Sequence, residues 1–173
     1  MADIFKNKML IKKDGEQHSA DTVLSDKKLI CLYFAAQWCP PCRMFTPVLA
    51  NAYKDAKKEN LSIEVIFMSG DQTVNDMMAH MRSSHGDWYA LRFADRLQSE
   101  IEERYMVPGV LTLLVLRPDG TVVDFNGKKL LQDHGVKAFH HWLGSSYPTQ
   151  PRETLPDAAA DGKCHCVEKS STA

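Results

Sequence analysis

No stretch of this 173-residue chain stays apolar for long. The longest uninterrupted run, residues 29–36, is eight residues, whereas a helix needs roughly 20 to span a bilayer. A membrane-spanning helix is excluded on that ground. An excess of one charge is lacking too: 21 Lys and Arg stand against 22 Asp and Glu, for a formal net charge of −1. Nothing here steers the protein toward nucleic acid or an anionic membrane surface. Cysteine is sparse and odd in number, five in all, which does not suit a secreted disulfide scaffold. There is no glycine-rich nucleotide-binding motif and no internal repeat. Residues 1–8 lack a basic region followed by a long apolar stretch, so we expect no targeting leader and a cytoplasmic location, with the nucleus as the other compartment.

What is present centres on Cys39-Pro40-Pro41-Cys42. An apolar run feeds directly into it, and an amphipathic helical pattern leaves it. That order puts Cys39 at the mouth of a helix and Cys42 one turn inside. Residues at i and i+3 of a first turn are neighbours, within reach of a disulfide. The unpaired N–H groups and positive dipole end of the helix favour negative charge on the Cys39 sulfur. Proline is tolerated at the first helical position, where the N–H it lacks has no partner. In a reducing compartment such a pair reads as a catalytic dithiol or as part of a metal site.

The rest of the chain supplies a framework. Apolar content of 44% and charged content of 25% suit one globular domain. Met9 to Lys12 reads as a short edge strand, and Leu29 to Ala35 as a central strand buried on both faces. From Pro41 to about Lys58, apolar residues at Cys42, Phe45, Leu49, Ala52, Tyr53 and Ala56 trace one face of a helix, which Pro47 inside it is expected to kink. Leu61 to Met68 is the next strand. A helix from Thr73 to about Ser84 carries Val74, Met77, Met78 and Met81 on one side, a core stripe by its spacing. Trp88 to Leu91 is an extended piece, Arg96 to Tyr105 a short solvent-facing helix, and Leu111 to Leu116 another buried strand. Arg117-Pro118-Asp119-Gly120 is a turn into a hairpin strand, Thr121 to Phe125. A last helix spans about Asp133 to Leu143. The expected result is an α/β fold whose mixed central sheet has helices on both faces and Cys39 at the carboxyl end of a central strand. Residues 148–173 carry few aliphatics and are expected to form a disordered tail after a domain of residues 1–147.

Other reactive residues weigh less. Cys31 reads as inert packing inside its strand, and His80 and His85 as surface residues. His140 and His141 straddle a helix face with no triad partner. Cys164 and Cys166 in the tail could join a metal, resolve a disulfide or have no role. Structural zinc wants four ligands, and only Cys164-His165-Cys166 offers more beside the Cys39/Cys42 pair, so no resident metal is expected.

The segment Trp38-Cys39-Pro40-Pro41-Cys42, continued by Arg43-x-Phe45-Thr46-Pro47, resembles the tryparedoxin and nucleoredoxin branch of the thioredoxin fold. Phe67-Met68-Ser69-x-Asp71, Trp88-x-Ala90-Leu91 and Arg117-Pro118-Asp119-Gly120 match it as well. Met1-x-Asp3-Ile4 and Tyr33 to Ala36 resemble the small nucleoredoxin-like proteins, second subgroup. The resemblance covers residues 1 to about 147. It implies a thioredoxin-like fold and a thiol–disulfide oxidoreductase with Cys39 as nucleophile and Cys42 as resolving thiol. It further implies disulfide-containing protein substrates, an upstream dithiol reductant and no cofactor. Trp38, Pro40, Pro41 and Leu111 would shape the site.

Two positions depart from the family pattern. Tyr33 stands where thioredoxins proper carry a buried Asp, as in the tryparedoxin-like branch. A phenol is a poor proton acceptor near neutral pH. Leu111 stands where the family places a cis-proline facing the two cysteines. Either that loop keeps a cis bond or it relaxes to trans. The expected consequence is weaker substrate docking and a dithiol more open to a metal ion, against the plainer reading of Leu111 as strand core. Two alternative functions follow. One is a non-catalytic binding or redox-signalling protein, the resemblance implying roles in sensory-neuron maintenance. The other is a dimer bridged by metal through Cys39 and Cys42.

Overall fold

Every residue of the strand Leu29–Ala35 is buried, because it lies inside the sheet with a strand on either side and helices over both faces. The computed structural model describes residues 2–144. In chain order the elements are α1 (Ala2–Phe5), β1 (Met9–Ile11), β2 (Gln17–Ser19), α2 (Ala20–Val23), β3 (Leu29–Ala35), α3 (Pro40–Lys58) and β4 (Ile63–Ser69). There follow α4 (Val74–Ser84), β5 (Tyr89–Leu91), α5 (Arg96–Arg104), β6 (Thr112–Leu116), β7 (Val122–Asp124), α6 (Lys128–His134) and α7 (Val136–Gly144). The seven strands lie in the order β2-β1-β5-β4-β3-β6-β7.

β3 pairs parallel with β4, the strand it reaches through α3, and antiparallel with β6. β5 runs parallel to β4, β1 antiparallel to β5, and β6 and β7 form the hairpin. The mixed sheet is the one expected from the spacing of the apolar runs.

Alternation along the strands divides the core in two. Leu29, Cys31, Tyr33 and Ala35 face one side, where Phe45 and Leu49 of α3, Met77 and Met81 of α4, and Phe139 and Trp142 of α7 cover them. Ile30, Leu32 and Phe34 face the other, against Phe5, Leu97, Ile101 and Tyr105. Each Leu, Ile, Phe or Met side chain among them removed from water contributes about 1.5–3 kcal/mol. α3 buries Cys42, Phe45, Thr46, Leu49, Ala52, Tyr53 and Ala56, the face read from its spacing, and runs uninterrupted through Pro47.

Several elements depart from the sequence reading. β2 and α1 were not anticipated: Gln17, His18 and Ser19 carry no apolar alternation, and their strand exists through pairing with Ile11, Leu10 and Met9. β4 begins at Ile63 rather than Leu61. The last helix is two, because Gly135, at φ +57°, breaks the chain between α6 and α7. In α4 the buried face is Met77, His80 and Met81, while Val74 stays 48% exposed. The helix is therefore turned relative to the expected Met stripe. The tail expectation for residues 148–173, with Cys164 and Cys166, lies outside the described residues.

Candidate active site

The dithiol sits where β3 gives way to α3. Cys39 caps the helix, with Pro40 and Pro41 as its first two residues. Both prolines lack an N–H, so the first one the helix can offer is that of Cys42. It points at the cap: the Cys42 N–H donates to Cys39 Sγ at 3.3 Å. The prolines thus leave a single first-turn amide, and that amide is spent on the Cys39 sulfur. Both cysteines are free thiols. Cys39 is 7% exposed and Cys42 fully buried, so only Cys39 can meet a substrate. Burial, reinforced by the hydrogen bond with Cys39, pushes the Cys42 thiol up to about 12.

Beneath Cys42 lies Tyr33, wholly buried. Its hydroxyl is 2.8 Å from Thr46 Oγ1, and Thr46 Oγ1 donates to the Cys42 carbonyl at 2.8 Å. The Tyr33 hydroxyl is 3.5 Å from that same carbonyl, so Thr46 is the better placed donor to it and Tyr33 donates to Thr46. Burial raises the phenol well above its ordinary value. Tyr33 is therefore a clamp on the first turn and no proton acceptor, as its chemistry led us to expect.

The loop before Cys39 is held from several sides. The Gln37 N–H donates to Asp71 Oδ1 at 2.7 Å, and Arg43 Nη1 donates to the Gln37 carbonyl at 2.7 Å. The Trp38 indole N–H donates to the Gly70 carbonyl at 3.0 Å, and its ring remains 57% exposed. A recess of about 330 Å³ opens beside it, lined by Gln37, Trp38, Arg43, Asp71, Gln72 and Asp76. Leu111 follows a cis peptide bond after Val110, so of the two expected geometries the loop has the cis one. The loop joins the site through Gly70, where a Cβ would stand 2.9 Å from Val110 Cγ1. Cys39, Cys42, Trp38, Pro40, Pro41 and the loop bearing Leu111 are thus brought to one end of the sheet.

The remaining reactive residues are elsewhere or of another kind. Cys31 is fully buried, and that burial drives its thiol far up, as expected of inert packing. His140 and His141 are exposed, with His140 paired to Glu59. His80 and His85 overturn their reading as surface residues: they are 0% and 5% exposed. His80 follows Met77 by three residues and precedes Met81 by one, so helix phase was the signal that could have found it. Among the described residues no group of three or more His, Cys, Asp and Glu is arranged to hold a metal ion. None of their helices is long and apolar enough to cross a membrane. A groove of about 820 Å³ is lined by Lys12, Lys27, Lys54, Lys57 and Lys58 at the far end of the strands from the dithiol.

A parallel β–α–β unit with an N-capping Cys-Pro-Pro-Cys, a cis loop beside it and a terminal hairpin define a thioredoxin-type protein. The chain belongs to the thioredoxin-like family, whose sequence profile matches residues 26–122. Its relatives are nucleoredoxins and tryparedoxins. It is 33% identical over 140 residues to probable nucleoredoxin 3 of Oryza sativa subsp. japonica, covering 78% of this chain and 29% of that protein. Against human nucleoredoxin-like protein 1 the identity is 25% over 171 residues, 93% of this chain and 81% of the relative. The chain thus spans about three tenths of the length of the rice nucleoredoxin. Among solved structures, Carcinoscorpius rotundicauda thioredoxin related protein 16 superimposes with TM-score 0.71 at 37% identity, covering 81% of this chain and 97% of that one. Tryparedoxin from Trypanosoma brucei does so with TM-score 0.67 at 29% identity, covering 79% and 92%.

Proposed function

We propose that this protein reduces disulfides in other proteins through Cys39 and Cys42. The observation that carries the reading is the capped dithiol: a marginally exposed Cys39, its sulfur held by the Cys42 amide, with a second free thiol buried behind it. Cys39, as the thiolate, attacks one sulfur of the substrate disulfide. The S–S bond breaks, one substrate sulfur leaves with the electron pair, and the other stays bound to Cys39 as a mixed disulfide. Cys42 then gives up its proton to the departed substrate thiolate and attacks Cys39 Sγ. The second substrate thiol is released, two electrons have passed to the substrate, and Cys39 and Cys42 are joined. A dithiol reductant restores the pair.

Tyr33 takes no part in the proton movement, since its hydroxyl is committed to Thr46. The resting thiol state of Cys42 keeps it from competing with Cys39 for the first attack. A free dithiol of this kind suits a reducing compartment, the cytoplasm or nucleus.

Insulin reduction by a dithiol-supplied assay tests the reading. Wild type is expected to turn over and Cys39→Ser to be inactive. Cys42→Ser is expected to accumulate mixed disulfides on Cys39. An inactive wild type would overturn the assignment.

A further inference from the structure

Three buried polar side chains, Asp71, His80 and His85, lie behind the dithiol loop, and only the Asp71 contact to Gln37 has so far been given a role. Their hydrogen bonds assign the protons. The Trp88 indole N–H can only donate, and it meets His85 Nδ1 at 3.2 Å, so that nitrogen is a bare acceptor. Burial pushes His85 down to about 2, and a neutral ring with a bare Nδ1 carries its proton on Nε2.

Asp71 has the opposite character. Burial alone would push its carboxyl up, but donors from His80, Gln37 and Ser69 outweigh that and hold it below its ordinary value. As a carboxylate it only accepts. Oδ1 takes the Gln37 N–H, while Oδ2 takes the Ser69 hydroxyl at 2.8 Å and lies 3.4 Å from His80 Nδ1. His80 Nδ1 is then the donor. Among the described residues, His80 Nε2 and His85 Nε2 are both buried and both without a hydrogen-bond partner. Their ring centroids are 4.4 Å apart.

We propose that His80, acting through the Asp71 carboxylate, is the positioning residue for the loop that presents Cys39. Its Nδ1–H orients the Asp71 carboxylate, that carboxylate fixes the Gln37 amide, and Cys39 is two residues further on. This link runs from α4 into the active-site turn and touches no substrate. This deepens the disulfide-reductase reading and rests on Cys39 as its nucleophile.

Two measurements on the full reduced chain decide it. Long-range proton–nitrogen NMR of the imidazoles is expected to show His80 protonated at Nδ1; a bare Nδ1 overturns the proposal, with no variant needed. The second measurement is the rate of Cys39 alkylation by iodoacetamide. His80→Phe keeps a ring against Phe67 but removes the donor, and is expected to react on the order of tenfold more slowly, as for the loss of one hydrogen bond to a charged group. His80→Asn places an amide N–H where Nδ1 was and is expected to stay within about twofold of wild type. Equal rates in all three proteins, or equal loss in both variants, would reduce His80 to core packing. Alkylation reads Cys39 itself, so a wild type that fails on insulin would sink the reductase reading without deciding this one.

Discussion

The Tyr33 hydroxyl donates to Thr46 Oγ1 at 2.8 Å, and through that threonine it is tied to the carbonyl of Cys42. The position under the dithiol is thus occupied by a clamp with no basic group. Tyr33→Phe would remove one neutral hydrogen bond and leave Thr46 donating to Cys42. It is expected to cost about 0.5–1.5 kcal/mol in urea unfolding while insulin reduction stays within about twofold. A tenfold drop in turnover would show that the hydroxyl moves a proton.

The contrast in exposure between the two thiols predicts selective chemistry. Native reduced protein treated with iodoacetamide near pH 7 is expected to carry the label on Cys39 and not on Cys42, whose thiol is buried and held up to about 12. Peptide mapping reads the two positions separately. Equal labelling would mean that the first turn of α3 opens readily.

The same raised value sets a pH dependence for folding. Cys42 keeps its proton in the folded protein up to about 12, against 9.0 for the ordinary thiol. Between those values the unfolded chain binds fewer protons than the folded one. The contribution is therefore fully present below about pH 9 and is lost as pH rises toward 12. Wild type in reductant is expected to lose stability over pH 9–11 more steeply than Cys42→Ala, as measured by denaturant midpoints. Parallel slopes would contradict it. Cys31 and the buried Tyr33 and Tyr53 shift in the same direction, and comparison with the variant removes their share.

Gly70 is where the Leu111 loop and Trp38 converge. An alanine Cβ there would stand 2.9 Å from Val110 Cγ1 and 3.5 Å from the Ala35 carbonyl. Gly70→Ala is expected to push the loop outward, to cost about 1–3 kcal/mol, and to lower kcat/KM for insulin. Cys39 alkylation, which needs no docked polypeptide, should change less. Unchanged kinetics would show that Val110 yields without disturbing docking.

Much of this protein was legible along the chain, because the forces that set it act locally. An unbroken apolar run makes β3, helical spacing from Cys42 to Ala56 makes the buried face of α3, and Cys39 next to two prolines makes the cap. Short-range geometry alone brings the two sulfurs together. β2 was not legible, since three polar residues become a strand only by pairing with β1, nor was α6, where only Leu131 is buried within Lys128–His134. Helix phase beside Met77 and Met81 is the one sign of burial that His80 carries, and His85, past the last turn of α4, carries none. Their burial depends on how α4 turns against Phe67 and on where Trp88 closes over them. The sequence by itself thus determined the dithiol and the strand and helix that hold it. The tertiary structure decided which polar groups stand behind it, because satisfying a buried donor or acceptor requires a partner from elsewhere in the chain, and spacing along the chain does not reveal which one.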